Sequence, residues 1–216
     1  MFANQPTLNF RTGYARRGAS TVALALIAGT ILMFDGEAAA AFDLPHHVRD
    51  ALPADFEVWE QGPVDRTGGD RNKAVGEEPA SLVVYRPFSA VDARVRTRFR
   101  LSKGWPSAGV AIRVRSPADY YLVKVSAPEQ RLSLLHIAGH TTEVIAEVDA
   151  DVAQDHWQSL QVLAHGEGFE ISLDDRWVLT GFDHGQPARG RFGVWSAGSG
   201  LASFDQVDIS PMPPEE

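Results

Sequence analysis

The feature that most constrains the fold is the alternation over residues 157–209, WQSLQVLAHGEGFEISLDDRWVLTGFDHGQPARGRFGVWSAGSGLASFDQVDI. Apolar residues recur at every second position, the period of a strand with one face in a core. A helix would need a period of 3.6. Turn-forming residues punctuate the run at Gly166-Glu167-Gly168, Asp174-Asp175, 183–190 and 197–200. Short strands at regular spacing with such turns predict an antiparallel β-sandwich.

The same pattern extends upstream. Strands are expected at 56–61, 81–87, 93–101, 109–115, 120–127, 131–138 and 142–148, and then at 157–164, 169–173, 177–182, 191–196 and 203–210. About twelve strands exceed the seven to nine of an immunoglobulin-type sandwich and suit a jelly roll of two larger sheets. The fold class is therefore all-β, a two-sheet antiparallel jelly-roll sandwich. Pairing of 56–61 with 204–209 is expected to close it. The one stretch that could turn helically, 150–156, is short and polar and reads as a loop.

The N-terminus has a different character. Arg11, Arg16 and Arg17 precede an uncharged apolar run over 19–34, followed by small residues around Ala38-Ala39-Ala40. Basic, apolar and small-residue regions in that order mark a secretory signal. The expected layout is a signal peptide over 1–40, a Pro-containing linker over 41–55, the sandwich over 56–210 and a Pro- and Glu-rich tail over 211–216. The product is expected in the periplasm or outside the cell. Arg16-Arg17 leaves a twin-arginine route open beside general export, and an uncleaved segment would make the membrane a partner. There is no cysteine, which removes disulfides, thiolate metal sites and a Cys nucleophile. A formal net charge of -8 disfavours nucleic acid as a partner.

The C-terminal motifs W-x-x-L-x-V, F-x-I-x-L-D-D, G-R-F-G-V-W-S and F-D-x-V-x-I resemble the concanavalin A-like, laminin-G-like jelly rolls of bacterial secreted proteins. Among these are the DUF1080-type domains linked to 3-keto-glycoside hydrolysis. The central run GVAIRVRSPADYYLVKVSAPEQRLSLLHIAGHTTEVI is similar to them as well. Arg113, Tyr120, Tyr121 and Glu129 match positions such sequences usually fill the same way. Lys124 and Ser126 stand where close relatives carry Arg-x-Asn, and the Asn-Ser-Gly turn and Glu-x-Gln of the hydrolase subgroup are replaced by residues 106–109 and 122–124. The resemblance implies the architecture, and it raises a glycoside-processing hydrolase of the DUF1080 type as an alternative function. It also marks Asp205 as a position that calcium-binding jelly rolls use, so Ca²⁺ there is an expectation beside a structural hydrogen bond.

One strand stands out for chemistry. ARVRTRFRL over Ala93–Leu101 sends Arg94, Arg96, Arg98 and Arg100 to one face. If a hairpin through 102–108 joins it to the next strand, Arg113 and Arg115 lie beside them and Lys124 extends the stripe. Arg forks match carboxylate and sulfate bidentately, so the stripe can hold an anionic polysaccharide. It can equally be a salt ladder, with Glu143, Glu147, Glu170 and Asp174 interleaved. For sugar stacking the candidates are Trp105, Tyr120, His136, His140 and Trp195, with Trp105 the most exposed because it sits in a Gly-Trp-Pro turn; the other tryptophans are expected in the core. No strand-borne Glu-x-Asp-x-x-Glu of the glucanase type occurs, and Asp174-Asp175 reads as a turn. The leading expectation is an exported, non-catalytic domain that binds carbohydrate or another envelope polymer, needing no cofactor. A glycoside hydrolase and a protein-interaction module are the rivals.

Overall fold

The alternation becomes thirteen strands among the described residues: β1 (Phe42–Leu44), β2 (Phe56–Gln61), β3 (Ala80–Ala90), β4 (Ala93–Leu101), β5 (Ser107–Ser116), β6 (Asp119–Ser126), β7 (Arg131–Ala138), β8 (Thr141–Asp149), β9 (Trp157–His165), β10 (Gly168–Leu173), β11 (Arg176–Phe182), β12 (Gly190–Ala197) and β13 (Ala202–Pro211). The computed structural model describes residues 42–44, 52, 54–61, 80–185 and 187–212, and no helix occurs among them. All belong to one unit, Ala38–Glu216. The expected signal region lies outside the described residues.

Two antiparallel sheets face each other. One has six strands in the order β1-β13-β4-β9-β10-β11, the other seven in the order β2-β3-β12-β5-β6-β7-β8. Their facing sides share one core, with Phe99, Ile112, Leu134, Phe169, Phe192 and Phe204 fully buried. Each such side chain contributes roughly 1.5–3 kcal/mol on burial. A second buried cluster, with Leu82, Ala111, Tyr120, Leu122 and Trp195, lies on the opposite face of the seven-stranded sheet. Central β5 is therefore apolar on both faces over most of its length, whereas β4 alternates buried and solvent-facing residues.

Two expectations of connectivity are corrected. β2 does not pair with the last strand; it pairs with β3, Phe56 opposite Tyr85, at an edge of the seven-stranded sheet. β13 lies in the other sheet between β1 and β4. The strand β1 falls within the segment expected as linker. Second, β4 and β5 form no hairpin. β4 pairs with β13 and β9, and β5 with β12 and β6. The 102–106 connection arches between the sheets, held to the β12–β13 loop by Ser102 N–H donating to Leu201 O at 2.9 Å and Trp105 N–H to Ser199 O at 2.8 Å. Neighbours in sequence pair only about two-thirds of the time, and a Gly-containing connection of this length serves either route.

Candidate functional site

The outer face of the six-stranded sheet is polar, and the arginines of β4 run down its middle. Register sets the neighbours: Arg94 lies opposite Ser210 on β13 and Leu163 on β9, Arg96 opposite Asp208 and Gln161, Arg98 opposite Asp205 and Ser159, Arg100 opposite Ser203 and Trp157. Asp205 and Asp208 are three apart, so a regular strand would send them to opposite faces. A bulge between them, with Gln206 at φ 52°, brings both outward. Thr97, buried opposite the bulge, donates its hydroxyl to Asp205 O at 3.1 Å and secures it.

The four guanidiniums differ in company. Arg96 donates to Asp175 at 2.8 Å and Arg98 faces Asp205 at 3.5 Å. Arg94 and Arg100 have no carboxylate partner among the described residues. Arg98 and Arg100 both stack on Trp157, at 5.2 and 5.1 Å from the ring. The indole thereby fixes two flexible cations in parallel, which lowers the entropy each loses when it grips a ligand.

Beside them opens a cleft of about 310 Å³, lined by Arg96, Thr97, Arg98, Trp157, Gln158, Ser159, Asp174, Asp175 and Gln206. Its floor is the β10–β11 turn. Asp174 and Asp175 hold φ of 50° and 59°, the left-handed pair of a type I′ turn, which Asp tolerates because its short carboxylate bonds locally. Asp174 accepts from Ser159 N–H at 2.8 Å and from the Gln158 amide at 2.9 Å. Asp175 is left pointing at Arg96. The cleft thus presents donors and acceptors side by side, the arrangement that vicinal hydroxyls require.

Several expected members of the stripe lie elsewhere. Arg113 is 2% exposed and points into the sandwich, because β5 bulges there and its φ is 52°. Its guanidinium donates to Val91 O at 2.8 Å and Gly166 O at 2.6 Å, lies 3.6 Å from Asp92, and stacks on Phe169 at 5.1 Å. Burial lowers its pKa from the ordinary value, with Asp92 opposing the shift. Gly190 packs on this bulge; a Cβ there would meet Arg113 C at 2.2 Å. Arg115 pairs with Asp119 at 2.6 Å in the seven-stranded sheet. Lys124, in the same sheet, pairs with Glu129 at 2.9 Å. Tyr120 is 1% exposed within the second buried cluster, as is Trp195 at 5%, so neither offers a ring to a ligand. Trp105 is exposed, on the arch held to the β12–β13 loop. Glu143 and Glu147 lie on β8 in the other sheet. Asp205 takes Arg98 as its cation, and no group of three or more His, Asp or Glu side chains that could hold a metal ion occurs among the described residues.

A separate polar group sits where β6, β7 and the residue after β11 meet. Tyr121 donates to Asp183 at 2.5 Å and stacks on His136 at 4.5 Å. Burial and that hydrogen bond push the Tyr121 pKa up to about 12, and the same bond holds Asp183 below the usual carboxylate range.

Trp157, Gln206 and the exposed Trp177 were not legible as site residues. Trp157 opens β9 at the parity of the outer face, which was the available signal. Trp177 follows a turn and precedes a register shift in β11, so its parity carries no information.

No family model matches the sequence, and no curated protein matches it. Among solved structures the chain is similar to the carbohydrate binding module CBM66 from Bacillus subtilis, at 19% identity and TM-score 0.58 over 72% of this chain and 95% of that one. It is also similar to a protein of unknown function with galectin-like fold from Bacillus subtilis, at 10% identity and TM-score 0.53 over 73% and 89%. A third is the Emp47p carbohydrate recognition domain, at 11% identity and TM-score 0.50 over 76% and 92%. At these identities the likeness establishes the fold: a galectin-like jelly-roll sandwich.

Proposed function

We propose that this chain is an exported domain that binds a polysaccharide across the outer face of its six-stranded sheet. The carrying observation is the pair Arg98 and Arg100 stacked on Trp157 at the edge of the cleft. The carbohydrate-binding neighbours support a glycan at the level of the fold, and fold alone does not fix function. Export rests on the basic-apolar-small order of residues 1–40.

The ligand carries acid groups. Among the described residues Arg94 and Arg100 have no carboxylate partner, and an anion can complete them. Arg96 and Arg98, already paired, serve hydroxyls together with Asp175 and Gln206. Binding without hydrolysis is supported by how the carboxylates are used: Asp174 holds a turn, and Asp175 and Asp205 are tied to arginines. DUF1080-type chemistry needs an acid and a base free to move a proton, so the resemblance to those domains is read as one of scaffold.

Retention of the mature domain on alginate beads, beside a neutral glucan, tests this. Alginate should retain it, with affinity falling as salt rises, since exposed charges are screened over about 8 Å at physiological ionic strength. Arg94→Gln with Arg100→Gln should release it at unchanged melting temperature. Equal, salt-insensitive binding to the neutral glucan would remove the acidic ligand, and binding to neither would remove the site.

A further inference from the structure

Trp177 is the most exposed large apolar side chain described, at 71%. It is also held. Its indole N–H donates to Leu179 O at 3.2 Å and Thr180 Oγ1 at 3.1 Å, both on its own strand. An exposed indole with a free N–H swings; one bonded twice to its strand lies fixed with a ring face toward solvent. At this exposure the ring contributes little to the core.

Its position relates it to the cleft. Trp177 lies opposite Ser172 on β10, and Ser172 lies opposite Gln161 on β9. Trp157 is on the same face of β9, four residues before Gln161. Two strand spacings and four residues of rise separate the tryptophans by about 16 Å, the reach of a short oligosaccharide rather than of one ring. The Asp174-Asp175 turn and Ser159 lie between them, so the cleft occupies the interval. The two rings are unlike: Trp157 is covered by Arg98 and Arg100, whereas Trp177 is open.

We infer that Trp177 is the stacking platform of a distal subsite, and that the domain recognises an extended stretch of a linear acidic polysaccharide rather than a chain end or a single sugar. This rests on the glycan reading of the outer face. One uronate residue is gripped at Arg100, the next cross the cleft, where Arg96 and Arg98 meet their hydroxyls, and a later ring lies on Trp177 by its apolar face. Aromatic contact of this kind is sequence-tolerant and adds affinity without charge.

Calorimetric titration of the mature domain with alginate oligomers of two to six residues tests the subsite. Affinity should rise with length and level off once both tryptophans are reached. Trp177→Ala should flatten that rise, losing about tenfold on the hexamer and nothing on the dimer, the size of one aromatic contact. Trp177→Phe should keep part of the rise, which separates loss of the ring from loss of the fold. Indole emission should shift to the blue with hexamer in the parent and much less in Trp177→Ala. Unchanged hexamer affinity in Trp177→Ala, while Arg94→Gln with Arg100→Gln still weakens it, would overturn the subsite and leave the site standing. A parent that binds no oligomer of any length would overturn both. A parent dimer that Trp177→Ala converts to monomer at constant glycan affinity would make the ring a contact between copies and end the proposal.

Discussion

At the residue scale, one side chain whose sequence context pointed outward lies buried. Arg113 sits in an alternating V-A-I-R-V-R run, yet the bulge turns it inward, where its charge is spent on two loop carbonyls and Asp92. Tyr121, opposite Ile112 of β5, packs against the core and donates to Asp183. That bond has a pH signature. Asp183 has a folded pKa below its unfolded value, so its contribution is complete above the ordinary carboxylate pKa, near 4, and is lost as pH falls through the folded value. Tyr121 has a raised pKa of about 12, so its contribution is present below its unfolded value near 10 and is lost as pH rises toward 12. Tyr121→Phe should cost about 1.5–3 kcal/mol at pH 7, the range for a hydrogen bond to a charged group. The gap to the parent should narrow at pH 3 and again near pH 12. Urea unfolding at the three pH values checks it; a constant gap would show that packing, not the bond, was lost.

At the element scale, strands were legible and their partners were not. Period two placed β4, β7 and β9 because Val, Ile, Leu and Phe at alternate positions admit no other element. Parity then failed wherever a bulge intervened: at Arg113 in β5, at Gln206 in β13 and after Trp177 in β11. A bulge adds one residue and sends every later side chain to the other face, and nothing in R-V-R or D-Q-V announces it. On β4 no bulge intervenes and the arginines keep their common face; Arg113 turns inward at its bulge, while Arg115 and Lys124 leave the stripe because β4 and β5 lie in different sheets. The β10–β11 turn gives a paired test. Asp174→Ala leaves Ser159 N–H without its acceptor and the Gln158 amide with Asp151 O alone, and should cost about 1–2 kcal/mol. Asp175→Gly relieves a left-handed φ and loses only an exposed ion pair, worth under about 1 kcal/mol, so the melting temperature should hold or rise. Opposite signs at adjacent aspartates, read by thermal melting, would confirm the division of labour; equal losses would contradict it.

At the scale of the whole molecule, the question is how each sheet is finished. The six-stranded sheet ends at β1 on one side and β11 on the other. β1 is three residues long and pairs with Ala202–Phe204 of β13, Phe42 opposite Phe204 and Leu44 opposite Ala202, just before Asp205. An uncovered edge offers a row of unpaired N–H and C=O groups to another chain. Residues 42–44 therefore add a strand to the sandwich, and a signal cleaved after residue 40 would leave β1 intact by a margin of one residue. Two chains test this, one starting at residue 41 and one at residue 52. The longer should be monomeric and bind alginate. The shorter should melt earlier and self-associate as concentration rises, because β13 becomes the edge. It should also bind more weakly, since fraying of β13 releases Asp205 and with it the partner that orients Arg98. Sedimentation and melting of both chains decide the matter: a shorter chain as stable, as monomeric and as retentive as the longer would return residues 41–51 to the role of a linker.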